Sequence, residues 1–354
     1  MIAAADFNIT RVERSKLKDI NLENIPFGRY FTDHMLEVDY EDGEWKTVEI
    51  KPYQPLLMAP SVAALHYGQA IFEGIKAYKD EAGNAAIFRP HDNFKRFNIS
   101  AERMQMPVVP EEIFMEGMRV LLEMDQNWIP SQTDHSLYIR PFMFSSDEMI
   151  GVRPSEKYKF MIILSPTGPY YATPMRIYVE EQYVRAVAGG IGYVKAAGNY
   201  GAAMYATAEA KKKGYDQVLW TDAFEHKYVQ ECGTMNVFFI IGNKAVTPGL
   251  ETGTILAGVT RDSVITMLKE KGIEVEERRI AIDEIIEAHK AGHLKEVFGT
   301  GTAATISLIK ELRYKDYVME FDINSWKITN EIKNGLNDIR YGRAKDTHGW
   351  MYKI

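Results

Sequence analysis

Residues 186–203, AVAGGIGYVKAAGNYGAA, set a single lysine, Lys195, among five glycines at 189, 190, 192, 198 and 201. No Asp or Glu occurs from 182 to 208, so no neighbour along the chain can pair with that amine. Glycine lets a main chain come close to a ligand. A lysine in a dry, carboxylate-free setting holds its proton weakly, and the free amine attacks a carbonyl carbon to form an imine. Composition alone leaves a second reading open, a surface lysine beside a flexible loop.

Other chemistry-bearing residues lie on either side. Glu231 follows an apolar strand expected to end at Gln230 and precedes Cys232-Gly233-Thr234. A carboxylate there can keep a pyridine nitrogen protonated, or simply face solvent. Residues 256–260, Leu-Ala-Gly-Val-Thr, stand just before an expected helix. Unpaired amides at a helix start form a phosphate site, and Thr260 also suits an ordinary N-cap; the two are compatible. Residues 299–304, GTGTAA, mimic a dinucleotide fingerprint. They come late in the chain and are followed by β-branched residues rather than a helix start, so an anion-binding turn is the better reading. Tyr138 and Arg140 are two apart on an expected strand and share a face. Arg89, before Pro90, is a further anion-binding candidate. Either arginine can equally be a surface residue. His289 and His293 have helical metal-ligand spacing, but Gly292 interrupts the helix and no glutamate follows His289. No metal site is expected.

The surrounding chain reads as α+β. Strands at 34–40 and 45–52 flank Glu41-Asp42-Gly43-Glu44, and strands at 75–78 and 85–88 flank Glu81-Ala82-Gly83-Asn84, both hairpin signals. A helix over 92–104 carries Phe94, Phe97, Ala101 and Met104 at helical spacing, and another opens at Pro110. Strands are expected at 137–144, 158–164, 175–180, 183–187, 217–221, 227–230, 236–241 and 294–298. Helices are expected at 202–213, 260–271, 283–290 and 327–341. Residues 165–174, SPTGPYYATP, hold three prolines, a glycine and no charge, the composition of a linker. The chain has 354 residues, 46% hydrophobic and 26% charged, and a net charge of −7. That is a soluble globular profile of about two domains, and an acidic one that argues against nucleic acid as partner. The lone Cys232 makes no internal disulfide, and apolar runs such as 160–164 are far below the roughly 20 residues a membrane helix needs. No signal peptide is read at the N-terminus, and the cytoplasm is the expected address.

Ten strings occur in order: FTDHMLEVDY (31–40), ALHYGQAIFEGIKAY (64–78), FRPHDNFKRF (88–97), LYIRPFMF (137–144), SPTGPYY (165–171), KAAGNYGAA (195–203), QECGTMNVFF (230–239), ILAGVTRDSV (255–264), GTGTAA (299–304) and LNDIRYGR (336–343). Together they resemble successive motifs of the branched-chain amino-acid aminotransferases, within the class IV pyridoxal-phosphate-dependent family. The resemblance spans residues 31–343. It implies a two-domain fold-type-IV architecture, similar to D-amino-acid aminotransferase. A small N-terminal domain (1–165) would lead through an interdomain loop (166–178) to a larger cofactor-binding domain (179–354), in a homodimer. It implies Lys195 as the Schiff-base lysine of pyridoxal 5'-phosphate. Tyr200 would meet the cofactor's phenolic oxygen, and Glu231 its ring nitrogen with Thr234 nearby. Leu256 would lie against the ring. Arg89, Gly258, Val259, Thr260 and Thr302 would hold the phosphate. Phe31, Tyr67, Phe72, Tyr138, Arg140 and Tyr170 would wall the substrate pocket, and the Ala303 and Ala304 amides would take the substrate carboxylate. The implied reaction is transamination of L-leucine, L-isoleucine and L-valine with 2-oxoglutarate. Arg140 is the choice for accommodating the second substrate's γ-carboxylate. Animal members carry a redox-sensitive CxxC after the GTA turn; here those positions are Ala304 and Ser307, so thiol regulation is not expected. Rival readings are a D-amino-acid aminotransferase or aminodeoxychorismate lyase of the same fold, and a nicotinamide dehydrogenase resting on residues 299–304.

Overall fold

The computed structural model describes residues 7–170 and 173–354; Tyr171 and Ala172 of the expected interdomain loop lie outside them. The described chain divides into two compact units. The first holds the residues up to Tyr170 together with Lys195–Gly198 and Asn337–Ile354, and the second holds the residues up to Val194 and Asn199–Leu336. Lys195 thus packs with the N-terminal unit, although it is remote from it in sequence.

The first unit is built on a mixed sheet of ten strands among the described residues. Its centre is the antiparallel pair Ser136–Ser145 and Tyr158–Thr167, in register over ten residues. His34–Glu41 flanks one side and Ile75–Lys79 the other. Both expected hairpins form. Asp42 and Gly43 turn the first with positive φ, as a two-residue hairpin turn requires, and Ala85–Phe88 returns along Ile75–Lys79 in the second. Met351–Lys353, which the sequence reading missed, closes the far edge by pairing with Phe88, Ile87 and Ala86. Packed in this unit's core are Phe97, Phe114 and Phe160, with ring centroids 5.5–5.8 Å apart.

Helix Pro90–Arg103 explains its own burial. Residues 93, 96, 97, 100 and 101 are buried, the i, i+3, i+4, i+7, i+8 pattern of one helical face. Phe97 and Ala101 supply the apolar half of that face. Asn93, Arg96 and Ser100 supply a polar half that an apolar count overlooks. The helix expected from Pro110 begins instead as a π-helical turn, Glu112–Glu116, and becomes α-helical at Gly117–Asp125.

The second unit carries a nine-stranded mixed sheet among the described residues. Met175–Val179 runs parallel to both Gln217–Thr221 and Thr305–Tyr314. Two expectations are corrected here, and one rival reading is removed. Residues 183–187 are not a strand, because Arg185 turns inward and bonds to carbonyls rather than joining a ladder. The strand expected at 227–230 is Val229–Cys232, so Glu231 lies within it rather than beyond its end. Leu294–Gly301 returns as the antiparallel strand Thr305–Tyr314, which places GTG of GTGTAA in a strand, makes residues 302–304 the hairpin turn, and removes the strand-to-helix context of the rival dinucleotide reading. The C-terminal helix Ile328–Arg340 starts on the Glu296 carboxylate, which accepts from the amides of Lys327, Ile328 and Thr329 at 2.7–3.1 Å, the arrangement a helix dipole favours.

Asp222 organises the turn that leads into the Glu231 strand. Its carboxylate accepts from the amides of Phe224, Glu225, Lys227 and Tyr228 at 2.8–3.2 Å. Burial pushes its carboxyl up, but those amides more than offset that and hold it at about 2. A carboxylate depressed on folding contributes stability that is complete above the unfolded value near 3.8 and is lost as pH falls through 2. The gap in Tm between the protein and Asp222→Asn should therefore stay level from neutral pH to about 5 and narrow between pH 4 and 2. Differential scanning calorimetry across that range checks this; a gap independent of pH contradicts it.

Candidate active site

In the first unit the main chain of Lys195 is held on both sides. Its N–H donates to Ser100 Oγ at 3.0 Å, and its carbonyl accepts from the Phe72 amide at 3.1 Å. Ser100 Oγ in turn donates to the Arg96 carbonyl at 3.0 Å, and Ala196 bridges to Ile71. The lysine is thereby fixed against helix Pro90–Arg103 and the short strand Ala70–Phe72. Its Nζ stands 5.0 Å from the centre of the Phe72 ring.

The acid-free sequence around Lys195 does not mean an acid-free surrounding. Glu73, fully buried, is bound by Arg96 through two bonds of 2.7 and 2.8 Å and by Asn93 Nδ2 at 2.7 Å. Burial pushes the Glu73 carboxyl up, yet the charges of Arg96 and Lys195 and these hydrogen bonds hold it below the ordinary carboxylate range. Glu73 is the residue that sequence reasoning missed. The signal for it was the stripe Asn93, Arg96, Ser100, polar residues at helical spacing on a face that also carries Phe97 and Ala101.

Beside Phe72 stands Arg140. Its guanidinium lies 4.6 Å from the Phe72 ring centre and 5.1 Å from that of Tyr138, and it donates to the Tyr138 hydroxyl at 2.8 Å. Arg140 Nε is buried without a hydrogen-bond partner. Tyr138 packs edge-on against Phe27, and Phe27 against Tyr170, each at 4.9 Å. Gly74 makes room for this wall, since a Cβ there would sit 2.1 Å from the Tyr138 hydroxyl. Lys195, Phe72, Tyr138 and Arg140 are thus brought together, with Tyr170 reached through Phe27. Phe31 instead stacks on Tyr53 at 4.9 Å. Tyr67 is exposed and lines a cavity of about 390 Å³ whose walls lack Phe72, Tyr138 and Lys195. Arg89 adopts a left-handed backbone, φ 49°, at the start of helix Pro90–Arg103. For a non-glycine residue that costs about 1–3 kcal/mol. Its amide donates to the Trp350 carbonyl, and its Nε bonds Asp92 at 2.8 Å.

The second unit gathers a different set. Glu231, 2% exposed, pairs with Arg185 at 3.0 Å and accepts from the Leu256 amide at 2.8 Å. Arg185 also donates to the carbonyls of Gly192 and Thr254. Residues 189–192, Glu231 and the Leu256 loop are therefore tied to one guanidinium. Gly258 ends that loop as the N-cap of helix Val259–Glu270, with no side chain capping the helix. Only glycine fits there, because a Cβ would lie 2.0 Å from Asn236 Oδ1. Asn236 itself donates to the Leu256 carbonyl at 2.9 Å. On the strand beside it, Thr300 Oγ1 is buried without a partner. Thr302, Ala303 and Ala304 form the hairpin turn, and Thr305 after it is left-handed, φ 58°. Tyr200 lies in the first turn of helix Ala197–Lys212, while Thr234 is exposed in the tight turn joining Cys232 to Met235. Burial, and then Glu231, push the Cys232 thiol up, so it is inert. Among the described residues no group of His, Cys, Asp and Glu could hold a metal, and no helix is long and apolar enough to cross a membrane.

This donor set fits a phosphorylated pyridine. An uncapped helix start with a buried hydroxyl, Thr260, suits a phosphate. A buried carboxylate paired with a buried arginine suits a protonated ring nitrogen. The chain belongs to the amino-transferase class IV family, whose sequence profile matches residues 70–312. Within that class, it is 47% identical over 349 residues to a probable branched-chain-amino-acid aminotransferase of Staphylococcus epidermidis, covering 97% of each chain. It is 47% identical over 337 residues to branched-chain-amino-acid transaminase 1 of Bacillus subtilis, covering 94% of each. Its fold matches that of the branched-chain aminotransferase from the thermophilic archaeon Thermoproteus uzoniensis, solved with norvaline. That match has a TM-score of 0.75 and 26% identity, and covers 90% of this chain and 99% of the other.

Removing one partner of a buried ion pair strands the other charge and costs about 3–5 kcal/mol. Glu73→Ala, which removes the carboxylate that Arg96 and Asn93 bind, should lose stability of that order in urea unfolding. A loss under about 1 kcal/mol would show that Arg96 finds its charge balance elsewhere.

Proposed function

We propose that this aminotransferase is pyridoxal-phosphate-dependent and exchanges amino groups between L-leucine, L-isoleucine or L-valine and 2-oxoglutarate. The observation that carries the proposal is the two-sided main-chain clamp on Lys195 next to Phe72, Tyr138 and Arg140. The names of the similar proteins supply the substrate class. Pyridoxal phosphate, when bound, supplies an aldehyde that takes up amines and a ring that stores an electron pair.

The chain's residues then divide the work. Lys195 would hold the cofactor covalently through its ε-amine and, once released by substrate, carry the proton between the substrate α-carbon and the cofactor carbon. Glu231, paired with Arg185, would keep a proton on the ring nitrogen. Arg89, the Val259 and Thr260 amides and Thr302 would take the phosphate, with Gly258 allowing the approach. Tyr200 would meet the phenolic oxygen, with Thr234 near the ring nitrogen and Leu256 against the ring face. The Ala303 and Ala304 amides would receive the substrate carboxylate. Phe72 and Tyr138, with Phe31, Tyr67 and Tyr170, would enclose an aliphatic side chain. The unpartnered Nε of Arg140 offers a donor that a γ-carboxylate could use. In domain terms, residues 1–165 and 179–354 would be the two domains and 166–178 the loop joining them.

The chain would form a homodimer through an apolar surface of the first unit. Leu57, Val152, Ile150 and Leu65 are 103%, 90%, 72% and 64% exposed. Two backbone links, Val62 to Glu148 and the Ala63 amide to the Asp147 carbonyl, draw their segments together. Exposed apolar clusters of this kind mark association faces.

Two measurements test these readings. Purified protein given pyridoxal phosphate should turn over L-leucine, L-isoleucine and L-valine with 2-oxoglutarate. Lys195→Ala should lower that rate by at least about 10²–10⁴-fold, with the fold retained by circular dichroism. Turnover of D-alanine alone, or full activity in the variant, would overturn the assignment. Leu65→Glu combined with Val152→Glu should convert the dimer to a monomer in light scattering behind size exclusion; an unchanged mass would place the interface elsewhere.

A further inference from the structure

One buried cation of the first unit has no part in the site above. Arg340 ends the C-terminal helix and is 3% exposed. Its Nε and one Nη are buried without a hydrogen-bond partner. The guanidinium lies over the Phe88 ring at 4.3 Å and near that of Tyr78 at 5.7 Å. Face-on aromatic contact returns part of the desolvation cost of a charge, not all of it. Burial pushes the Arg340 guanidinium down, and only the phenols of Tyr78 and Tyr341 pull the other way, with no carboxylate among the groups that do. Buried nearby is Lys76, pushed to about 7 by its own burial and by Arg340, with Asp134 opposing.

Arg340 and Tyr78 border a cavity of about 610 Å³ that lies wholly within the first unit. Lys345 and Lys353 line it and are exposed. Two acids line it as well, and both are engaged locally. Asp80 accepts from the amide and side-chain amide of Asn84 at 2.8 and 2.9 Å. Asp346 accepts from the amides of His348 and Met351 at 3.2 and 2.7 Å. Neither acid is paired with Arg340. The remaining walls include Ile339 and Met351, which are apolar.

We propose that this cavity binds a small organic carboxylate, its anionic end against Arg340 and its apolar body against Ile339 and Met351. A buried guanidinium lacking an acid is matched by a planar, singly charged oxyanion, and a guanidinium fork holds a carboxylate through two parallel bonds. Lys345 and Lys353 draw the anion in from solvent.

The probe is 4-bromobenzoate, located by bromine anomalous scattering in crystals of the holoenzyme. A bromine peak in the cavity is expected, with the carboxylate facing Arg340, and no peak for neutral 4-bromobenzamide. In solution, Arg340→Met should weaken the cavity-bound fraction by at least about ten-fold, the loss of one charge-assisted pair. It should also leave the Tm in anion-free buffer equal to or above that of the unaltered protein, since a buried cation without an acid is removed. Bromine found only near Lys195, no bromine at all, equal binding of the amide, or a cavity peak that persists in Arg340→Met would each overturn the proposal. Should Arg340→Met fail to fold, Lys345→Glu with Lys353→Glu must still weaken cavity binding; unchanged binding in that double variant would also overturn it.

Discussion

The hydrogen bonds that fix the main chain of Lys195 are the constraint on which the rest depends. A flexible four-carbon stem can present an amine to one point only if its Cα is immobile. Ser100 Oγ and the Phe72 amide provide that immobility. Each belongs to an element held by something else. Ser100 lies on a helix whose buried face also carries Arg96 and Asn93, and these close on Glu73 directly after Phe72. Strand, helix and lysine therefore form one small lattice of hydrogen bonds, charge-assisted where Arg96 and Asn93 meet Glu73. An ion pair buried this deeply adds little net stability, so its value here is geometric.

The second unit uses a single arginine in a comparable way. Arg185 reaches the glycine-rich segment, the loop before Leu256 and the Glu231 carboxylate at once. Strain marks one turn in each unit. Arg89 and Thr305 both hold left-handed backbones that cost energy for residues with a Cβ. Each stands at a segment assigned to ligand contact, where a costly conformation survives only when its surroundings over-determine it.

How much of this was legible in the chain depended on the range of the interaction. Local signals were readable. Glycine turns at 43 and 83 punctuate two hairpins, and the phenylalanine spacing of 94 and 97 marks a helix. The glycines and missing acids around Lys195 left a reactive amine and a surface lysine both open, and the missing acids held only along the chain, since Glu73 lies close in space. Long-range pairing was not readable. Glu73 and Lys195 are more than a hundred positions apart, and nothing in either local sequence declares the other. Residues 183–187 carry β-prone Tyr and Val, but the side chain of Arg185 finds backbone carbonyls, and tertiary bonding overrides the propensity. The edge strand Met351–Lys353 is too short for periodicity to register. Family resemblance supplied roles for the site, whereas the supports beneath it came only from coordinates.

The first unit takes its last piece of sheet from residues 351–353 and its helix end from residues after Leu336. On a ribosome, where the chain emerges from its N-terminus, this unit stays incomplete until residues 351–353 have emerged. The segment that will carry its lysine appears only after some two hundred residues. Contacts spanning such distances close slowly, and exposed strand edges wait meanwhile for partners. Folding of the N-terminal unit thus waits for residues 337–353, and until they arrive the edge at Ala86–Phe88 stays unpaired on that side.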